Sequence, residues 1–379
     1  MSDRSGPVER PGVGDRAGRF AWPVRRRVPG PDGTAEDIAV QDIAEREAAD
    51  RRLPPPDPEP LADPRPRFNL AAFRLAALGL ALVLVLALAM MRVFGGGPPS
   101  VAQLRAQAGV DNWTELPIGV KDDQPGTAFR DENGVWSGFD IEIAYMIAED
   151  LGFRRDQIRF YAIQSEDRVR MQATDAKGNR VPVKMVIASY SITPTREATP
   201  GVTFSAPYLF TEQSVLTRRG HAPVSTLNDL KDKQGCSLSA STSMTAPQVA
   251  GVIMTNKNQI SECIKLLRER KVEAVTTDAA ILAGYKAKYP NEFDHWDIGL
   301  DTTEAYGVNV GENLALKKLV DLTFYRSLKD PKDDRWEVAY QRNLQSEVSA
   351  NKGTPIAVAA QPDVPKPDIR DLPWEDVFP

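Results

Sequence analysis

Seventeen consecutive residues without a charge, Leu75 to Met91 (LAALGLALVLVLALAMM), constrain this chain more than any other stretch. A helix that crosses a hydrocarbon core needs roughly 17–25 mostly apolar residues. A buried core helix of this length is unusual when, as here, almost every position is Leu, Ala, Val or Met. Arg74 and Arg92 bracket the run, and both side chains can snorkel, which lengthens the usable span. The expectation is a membrane helix. A cleaved signal peptide is the rival, and it needs a short charged region ahead of the run; about 70 residues precede this one. Lipoprotein processing needs a Cys just after the run, but the two cysteines are Cys236 and Cys263. The segment therefore reads as an uncleaved, single-pass anchor over 71–94. Arg65, Arg67 and Arg74 lie close before it and Arg92 alone lies close after it. The excess of positive charge on the first side places the N-terminus in the cytoplasm and the C-terminal part outside.

The flanks differ from one another. Residues 1–70 are rich in Pro, Arg, Asp and Glu, poor in large apolar residues, and contain no Lys. Such a segment buries too little apolar surface to offset chain entropy, so a disordered tail is expected. Within it, Thr34–Arg52 has helix formers and a possible cap at Thr34, but a thin apolar face of Ile38, Val40 and Ile43. After the apolar run, Gly95-Gly96-Gly97-Pro98-Pro99 predicts a flexible stalk, extending over 95–111.

From about Asn112 to Ser346 short apolar strands alternate with helical patterns. Strands are expected at Pro117–Lys121, Ile158–Ala162, Lys184–Ala188, Cys236–Leu238, Ala274–Thr277 and near Ile298. Phe139–Leu151 repeats its apolar residues with the helical period and stops at Gly152; helices are also expected over Ser261–Arg270 and Asp278–Lys288. This alternation predicts an α/β fold with mainly parallel sheets, as one large unit or two lobes. Ligands bind such folds beyond the carboxyl ends of the strands. Lys121, Ser189 with Ser191, Ser241-Thr242-Ser243 and Asp278 all fall at such ends. Each has a plain reading beside the functional one: the Ser-Thr-Ser turn and Asp278 serve equally as helix caps, and Lys121 as a solvent-facing charge. Ile187–Tyr208 is the richest segment, because a strand opens there into short hydroxyls and then Arg196, whose guanidinium matches a carboxylate in two parallel bonds.

Taken together, GVKDDQPGTAF (Gly119–Phe129) with GFDIEIA (Gly138–Ala144), SITPTRE with FSAPY (Phe204–Tyr208), and VEAVTTDAAILAG (Val272–Gly284) resemble the family 3 solute-binding proteins. These are the extracytoplasmic amino-acid receptors of bacterial transporters. The resemblance covers roughly residues 112–346. It implies a two-lobed periplasmic-binding-protein fold of type 2, with crossing strands near Phe210–Leu216 and Tyr306–Val310. Lobe 1 is then 112–209 with 311–346, lobe 2 with the hinge strands is 210–310, and 347–379 is a Pro-rich extension carrying Trp374 and Phe378.

The resemblance also implies ligand roles. Arg196 matches the residue that grips an α-carboxylate, completed by Ser191 and the backbone of Thr242, with Ser241 beside it. Asp278 matches the acid that takes the α-ammonium, helped by Ser189. Phe139 and Tyr190 are the aromatic residues near the ligand, with a place in the core the alternative for Phe139. GVK-x-DQPG and SYSITP look most like the glutamate/aspartate-binding branch, in which Lys121 and Arg168 meet the side-chain carboxylate. The chain departs from the family between Met171 and Val186, where QATDAKGNRVPVKM replaces a helix end and Gly turn, so the Arg168 helix ends differently. An extracytoplasmic Cys236 and Cys263 are expected to pair, two free buried thiols being the alternative. Neither His221 nor His295, both expected in exposed loops, has a ligand set around it, and no G-x-S-x-G or P-loop is present. No cofactor, metal or nucleic-acid partner is expected, and the chain reads as a non-enzyme. Two functions share the binding of glutamate or aspartate, with asparagine the further candidate: delivery to an ABC permease, or sensing through a membrane signalling partner that reports to a cytoplasmic kinase pathway. The long N-terminal segment favours sensing, since a transport receptor has no need of it. An enzyme on the same fold is the third reading.

Overall fold

A computed structural model of the chain describes residues 70–94, 97–300 and 302–370. The 1–69 segment, with the helix expected over Thr34–Arg52, the glycines at 95 and 96, and Trp374 and Phe378 lie outside the described residues. Leu70–Phe94 is one helix of 25 residues. Leu70–Met91 is long and apolar enough to cross a membrane, and no part of it is buried. Its leucines and valines from Leu70 to Leu88 are all more than half exposed, an arrangement that water disfavours and lipid does not.

Structure resumes sooner after this helix than the sequence suggests. Ser100 caps Val101–Ala108 through a reciprocal pair of bonds with Gln103, and Gly109 in the left-handed region closes it. Val101, Leu104 and Ala108 are buried in the main core against the Leu314–Lys329 helix. Residues 100–111 thus belong to the folded domain rather than to a stalk.

The first sheet has the order 180–182, 172–174, 158–162, 116–120, 185–187. Leu116–Val120 lies parallel to both Ile158–Ala162 and Met185–Ile187, so three carboxyl ends share one edge. Ile118, Val120 and Ile187 are fully buried, as expected for strands covered on both faces. The stretch that departs from the family pattern forms a hairpin, Gln172–Thr174 with Arg180–Pro182, added antiparallel at the sheet edge. Asp175 organises its turn by accepting from the Lys177 and Asn179 amides, and Gly178 takes the positive φ the turn requires.

The second sheet has the order 253–257, 234–238, 274–278, 209–218, 293–297. Its first three strands are parallel, while Leu209–Arg218 runs antiparallel to both neighbours. The sheets are therefore mixed rather than mainly parallel. Ile298 lies just past the Phe293–Asp297 strand, which instead contains His295. That histidine is half-buried, not in an exposed loop: its ring nitrogens lie 2.6 Å from Ser214 Oγ and 2.6 Å from Asn351 Oδ1. A disulfide joins Cys236, in a strand, to Cys263 in the Ile260–Arg268 helix, cross-linking that helix to its sheet.

Two segments cross between the sheets. Leu209–Glu212 pairs antiparallel with Thr303–Tyr306, and the same long strand continues into the second sheet. Beyond Tyr306 the return crossing threads the first lobe, with Asn309 bridged to Val186 and Phe204. Residues 351–370, past the last helix (Gln345–Ala350), lie along the domain; Ile356, Val364 and Ile369 enter the main core.

Candidate functional site

The shared edge of the first sheet carries the cations. Lys121, one residue past its strand, is 1% exposed; its Nζ donates to Ser165 Oγ (3.3 Å) and to the Asn258 carbonyl on the other lobe (3.1 Å). Ser165–Asp167 is a single tight turn rather than the expected helix, and it delivers Arg168 to the same edge. Arg168 donates to the carbonyls of Ser165 (3.1 Å), Ala188 (3.2 Å), Ser189 (3.1 Å) and, across the cleft, Ala240 (3.4 Å). Arg196 lies in the short helix Pro194–Glu197, capped by Thr193 with Pro194 in its first position. It donates to the Ser191 carbonyl (2.7 Å) and to the same Ala240 carbonyl (2.7 Å). Both guanidiniums sit over the Tyr190 ring, at 4.4 Å and 4.7 Å from its centroid. Burial lowers the pKa of all three cations; for Arg168, with Arg196 beside it, the value falls to about 10.

The opposing face comes from the second sheet. Asp278 ends its strand, is 4% exposed, and accepts from Tyr306 Oη (2.6 Å) and Ser243 Oγ (3.3 Å). Burial, then the nearby charge of Glu304, pushes its carboxyl up to about 7. Ser241 does what its plain reading predicts, accepting from the Ser243 amide at the start of a helical turn. Thr242 Oγ1 is buried without a hydrogen-bond partner.

Two non-glycine residues in the left-handed region face this cleft, Ser189 (φ 47°) on one lobe and Ala240 (φ 52°) on the other. Such a conformation costs of order 1–3 kcal/mol and persists where surroundings enforce it. At Ser189 the enforcing group is Asp140, which accepts from its amide (2.9 Å), its hydroxyl (3.3 Å) and Tyr208 Oη (2.9 Å). Ser189 Oγ also bonds Gln124 Oε1 at 2.9 Å, so its hydroxyl is engaged within lobe 1. Burial raises the Asp140 carboxyl to about 6.

Further contacts join the lobes. Asp123 Oδ2 accepts from the Ser261 amide (2.9 Å) at the start of the Ile260–Arg268 helix, and Asp122 Oδ1 accepts from Gln259 Nε2 (3.1 Å). Tyr285 Oη bonds the Asp123 carbonyl. The approach is close enough that a Cβ at Gly284 would lie 1.9 Å from the Pro125 carbonyl oxygen. This is a closed arrangement of the two lobes.

Of the predicted site residues, Lys121, Arg168, Tyr190, Ser191, Arg196, Ser241, Thr242 and Asp278 line or flank one cleft. Phe139 does not. It is fully buried in the main core, against Tyr208, Trp336 and Tyr340, because the apolar face of its helix points inward. Sequence reasoning misses Asp140, Tyr306 and Ala240. Asp140 and Tyr306 look like an ordinary helix-start acid and a strand aromatic, while Ala240 contributes only a carbonyl. Among the described residues no group of three or more His, Cys, Asp or Glu could hold a metal ion.

Two α/β lobes, two crossing strands and a charged cleft at the strand ends define a hinged solute receptor. The family model for bacterial extracellular solute-binding proteins, family 3, matches residues 116–281. The glutamate-binding protein GluB of Corynebacterium efficiens is 31% identical over 236 residues, covering 56% of this chain and 77% of that one. The chain belongs to this family. A solved solute receptor for L-cysteine from Neisseria gonorrhoeae shares the fold with a TM-score of 0.55 and 24% identity, over 64% of this chain and 94% of that one. A membrane-bound lytic murein transglycosylase F of Pseudomonas fluorescens is 27% identical over 52% of this chain, but only 40% of its own length is matched.

Proposed function

We propose that this chain is a membrane-tethered receptor whose two lobes close on an acidic amino acid outside the cytoplasm. Arg196 grips the α-carboxylate with the Ser191 and Thr242 region, and Asp278 takes the α-ammonium. Lys121 and Arg168 meet the side-chain carboxylate. The observation that carries this reading is the convergence of Arg168 and Arg196 on one carbonyl of the opposite lobe, that of Ala240, beside Asp278. A ligand carboxylate offers these N–H groups a full charge where the carbonyl offers a dipole, so ligand favours the closed state. Charge count supports an acidic ligand. Lys121, Arg168 and Arg196 against Asp278 complement two carboxylates and one ammonium. A neutral glutamine side chain offers Lys121 and Arg168 a dipole in place of a full charge, which favours glutamate over it. Similarity to a glutamate-binding protein points the same way.

Residues 97–370 carry the whole described domain, including the helix at 101–108 and the segment at 351–370. Calorimetry of this fragment with glutamate, aspartate, asparagine and glutamine tests the reading. Tight binding of the two acids is expected, with a Kd near 1 μM corresponding to about −8 kcal/mol. Preference for basic or apolar amino acids would overturn the ligand assignment.

The tether is the Leu70–Phe94 helix, with the N-terminal segment cytoplasmic and the partner an integral membrane protein, either an ABC permease or a signalling protein. Deleting residues 1–65 separates these two: uptake survives in the first case, and a cytoplasmic response fails in the second. Enzymatic activity is not part of this proposal, since the cleft presents a complete set of partners for a zwitterion.

A further inference from the structure

Residues 351–370 take no part in the cleft, yet they touch both lobes and the hinge in turn. On lobe 2, Asn351 donates to the Ala283 carbonyl (3.3 Å) and lies against His295, and Thr354 Oγ1 donates to the His295 carbonyl (3.2 Å). At the hinge, the Val358 amide donates to the Phe210 carbonyl (2.9 Å), Thr211 Oγ1 donates to the Ile356 carbonyl (2.5 Å), and Ala357 forms an antiparallel bridge with Thr211. Leu209–Glu212 already pairs with Thr303–Tyr306, so Ile356–Val358 acts as an additional strand on the hinge. On lobe 1, Gln361 Nε2 donates to the Phe324 carbonyl (2.9 Å), and Val364 and Ile369 are core residues.

The segment ends on the residues that follow the apolar helix. The Arg370 amide donates to the Pro99 carbonyl (3.0 Å), Arg370 Nη2 donates to Gln103 Oε1 (2.9 Å), and Ser100 bridges to Arg370 in parallel. Between the hinge and Arg370 the chain carries Pro362, Pro365 and Pro367. Closely spaced prolines hold φ fixed and make a semi-rigid spacer rather than a slack tether. A rotation at Phe210–Thr211 must therefore either drag Ile356–Val358 or break their bonds, and because Gln361, Val364 and Ile369 pack the next stretch onto lobe 1, the displacement reaches Arg370 as a shift of that packed stretch.

We propose that residues 351–370 are a strap that carries the state of the hinge to Pro99–Gln103, the stretch next to the apolar helix, so that closure is read at the membrane-proximal end of the domain. The proposal rests on the ligand-driven closure put forward above. It gives the receptor an output separate from its cleft, which the motifs of the binding domain do not contain.

Hydrogen exchange on the full chain in nanodiscs, with and without saturating glutamate, tests it. Glutamate is expected to slow exchange by about threefold or more at Val358, at Arg370 and over residues 100–104 together. A variant with about six Gly/Ser residues inserted between the exposed Ala359 and Ala360 keeps both docked ends but adds slack. It should keep the response at Val358 and lose it at Arg370 and 100–104. A response at Val358 without one at Arg370 in the unaltered chain would overturn the strap, as would a response at Arg370 that survives the insertion. A second arm needs no ligand. In Asp122→Cys/Gln259→Cys the introduced thiols, which replace side chains in contact across the lobes, are joined by a short bis-maleimide. Cross-linking should reproduce the Arg370 response without glutamate; an unchanged Arg370 would also overturn the strap. If glutamate gives no calorimetric heat and no protection at Ser189–Arg196, the functional reading fails, and the cross-linked pair still decides the strap.

Discussion

On the lobe 1 face, backbone carbonyls hold Lys121, Arg168 and Arg196; on the lobe 2 face, two hydroxyls, those of Ser243 and Tyr306, hold Asp278. Carbonyl dipoles stabilise a cation and offer no proton to exchange. Burial lowers the pKa of the cations; Arg168 stays near 10 and remains charged at neutral pH. The acid is raised to about 7, so its charge is conditional. The cleft thus pairs a positive face, fixed by its two arginines, with a negative face that becomes fully charged when an ammonium arrives. The hinge is built into the same contrast. Its two tyrosines each hold one lobe's aspartate, Tyr208 on Asp140 and Tyr306 on Asp278.

The largest break in this contrast is Arg196→Ala. Removing a buried charge partner costs on the order of 3–5 kcal/mol, so calorimetry should find a loss of a hundredfold or more. Arg196→Lys keeps the charge without the fork and should recover only part of the affinity. An unchanged affinity in Arg196→Ala would remove the proposed site.

Asp278→Asn tests the other face, with an expected loss of about 2 kcal/mol, some thirtyfold, at pH 8. The sign of its pH dependence follows from the raised carboxyl. A bound ammonium favours the ionised form, so the pKa in the complex lies below the free value of about 7. Below pH 7 the free receptor must lose a proton to bind. Affinity therefore falls as pH falls through 7, by up to about tenfold per unit, and is flat above it. Titrations in buffers of different ionisation enthalpy should detect proton release at pH 7 in the unaltered chain. A profile equally steep in Asp278→Asn would assign the titration to another group.

Lys121→Met is smaller and selective. It should weaken glutamate by about tenfold, roughly 1.4 kcal/mol, while leaving glutamine unchanged or improved. Equal losses for both ligands would make Lys121 a lobe-closing contact, through its bond to the Asn258 carbonyl, rather than a selector.

How much of this was readable beforehand depended on where each group sits relative to a strand end. Lys121, Ser189 and Asp278 lie at or just past the ends of short strands, so strand pattern and turn chemistry bring them forward. Arg168 was visible only through the family pattern, and its grip on several carbonyls depends on Ser165–Asp167 being one turn, which no local signal specified. The family pattern puts the crossing strand near Phe210–Leu216, but its extent to Arg218 is hidden because Thr211, Gln213, Ser214 and Thr217 are buried polar residues within it. Ala240 carries no side-chain signal at all. Phe139 illustrates the opposite error: an aromatic beside a binding motif belonged to the core. The segment after Ala350 looked like an extension because Pro removes helix and strand patterns, yet its contacts are tertiary.

Tyr190 offers the finest test of the fixed face, because it touches both guanidiniums without forming part of their hydrogen-bond set. Its ring also packs on Phe204, with centroids 4.9 Å apart, so a branched apolar replacement keeps burial and loses the quadrupole. Cation–π contacts contribute about 0.5–1 kcal/mol each when partly exposed and more when desolvated. Tyr190→Leu should therefore weaken glutamate binding about fivefold, near 1 kcal/mol. Tyr190→Phe, which keeps the ring, should lose far less. The two variants together separate orientation from charge. If Tyr190→Leu matched Arg196→Ala in size, the arginines would depend on the ring for their position, and the carbonyls would not be what fixes the positive face. If it had no effect, the carbonyls alone would suffice, and the contrast between a fixed and a conditional face would stand on hydrogen bonding only.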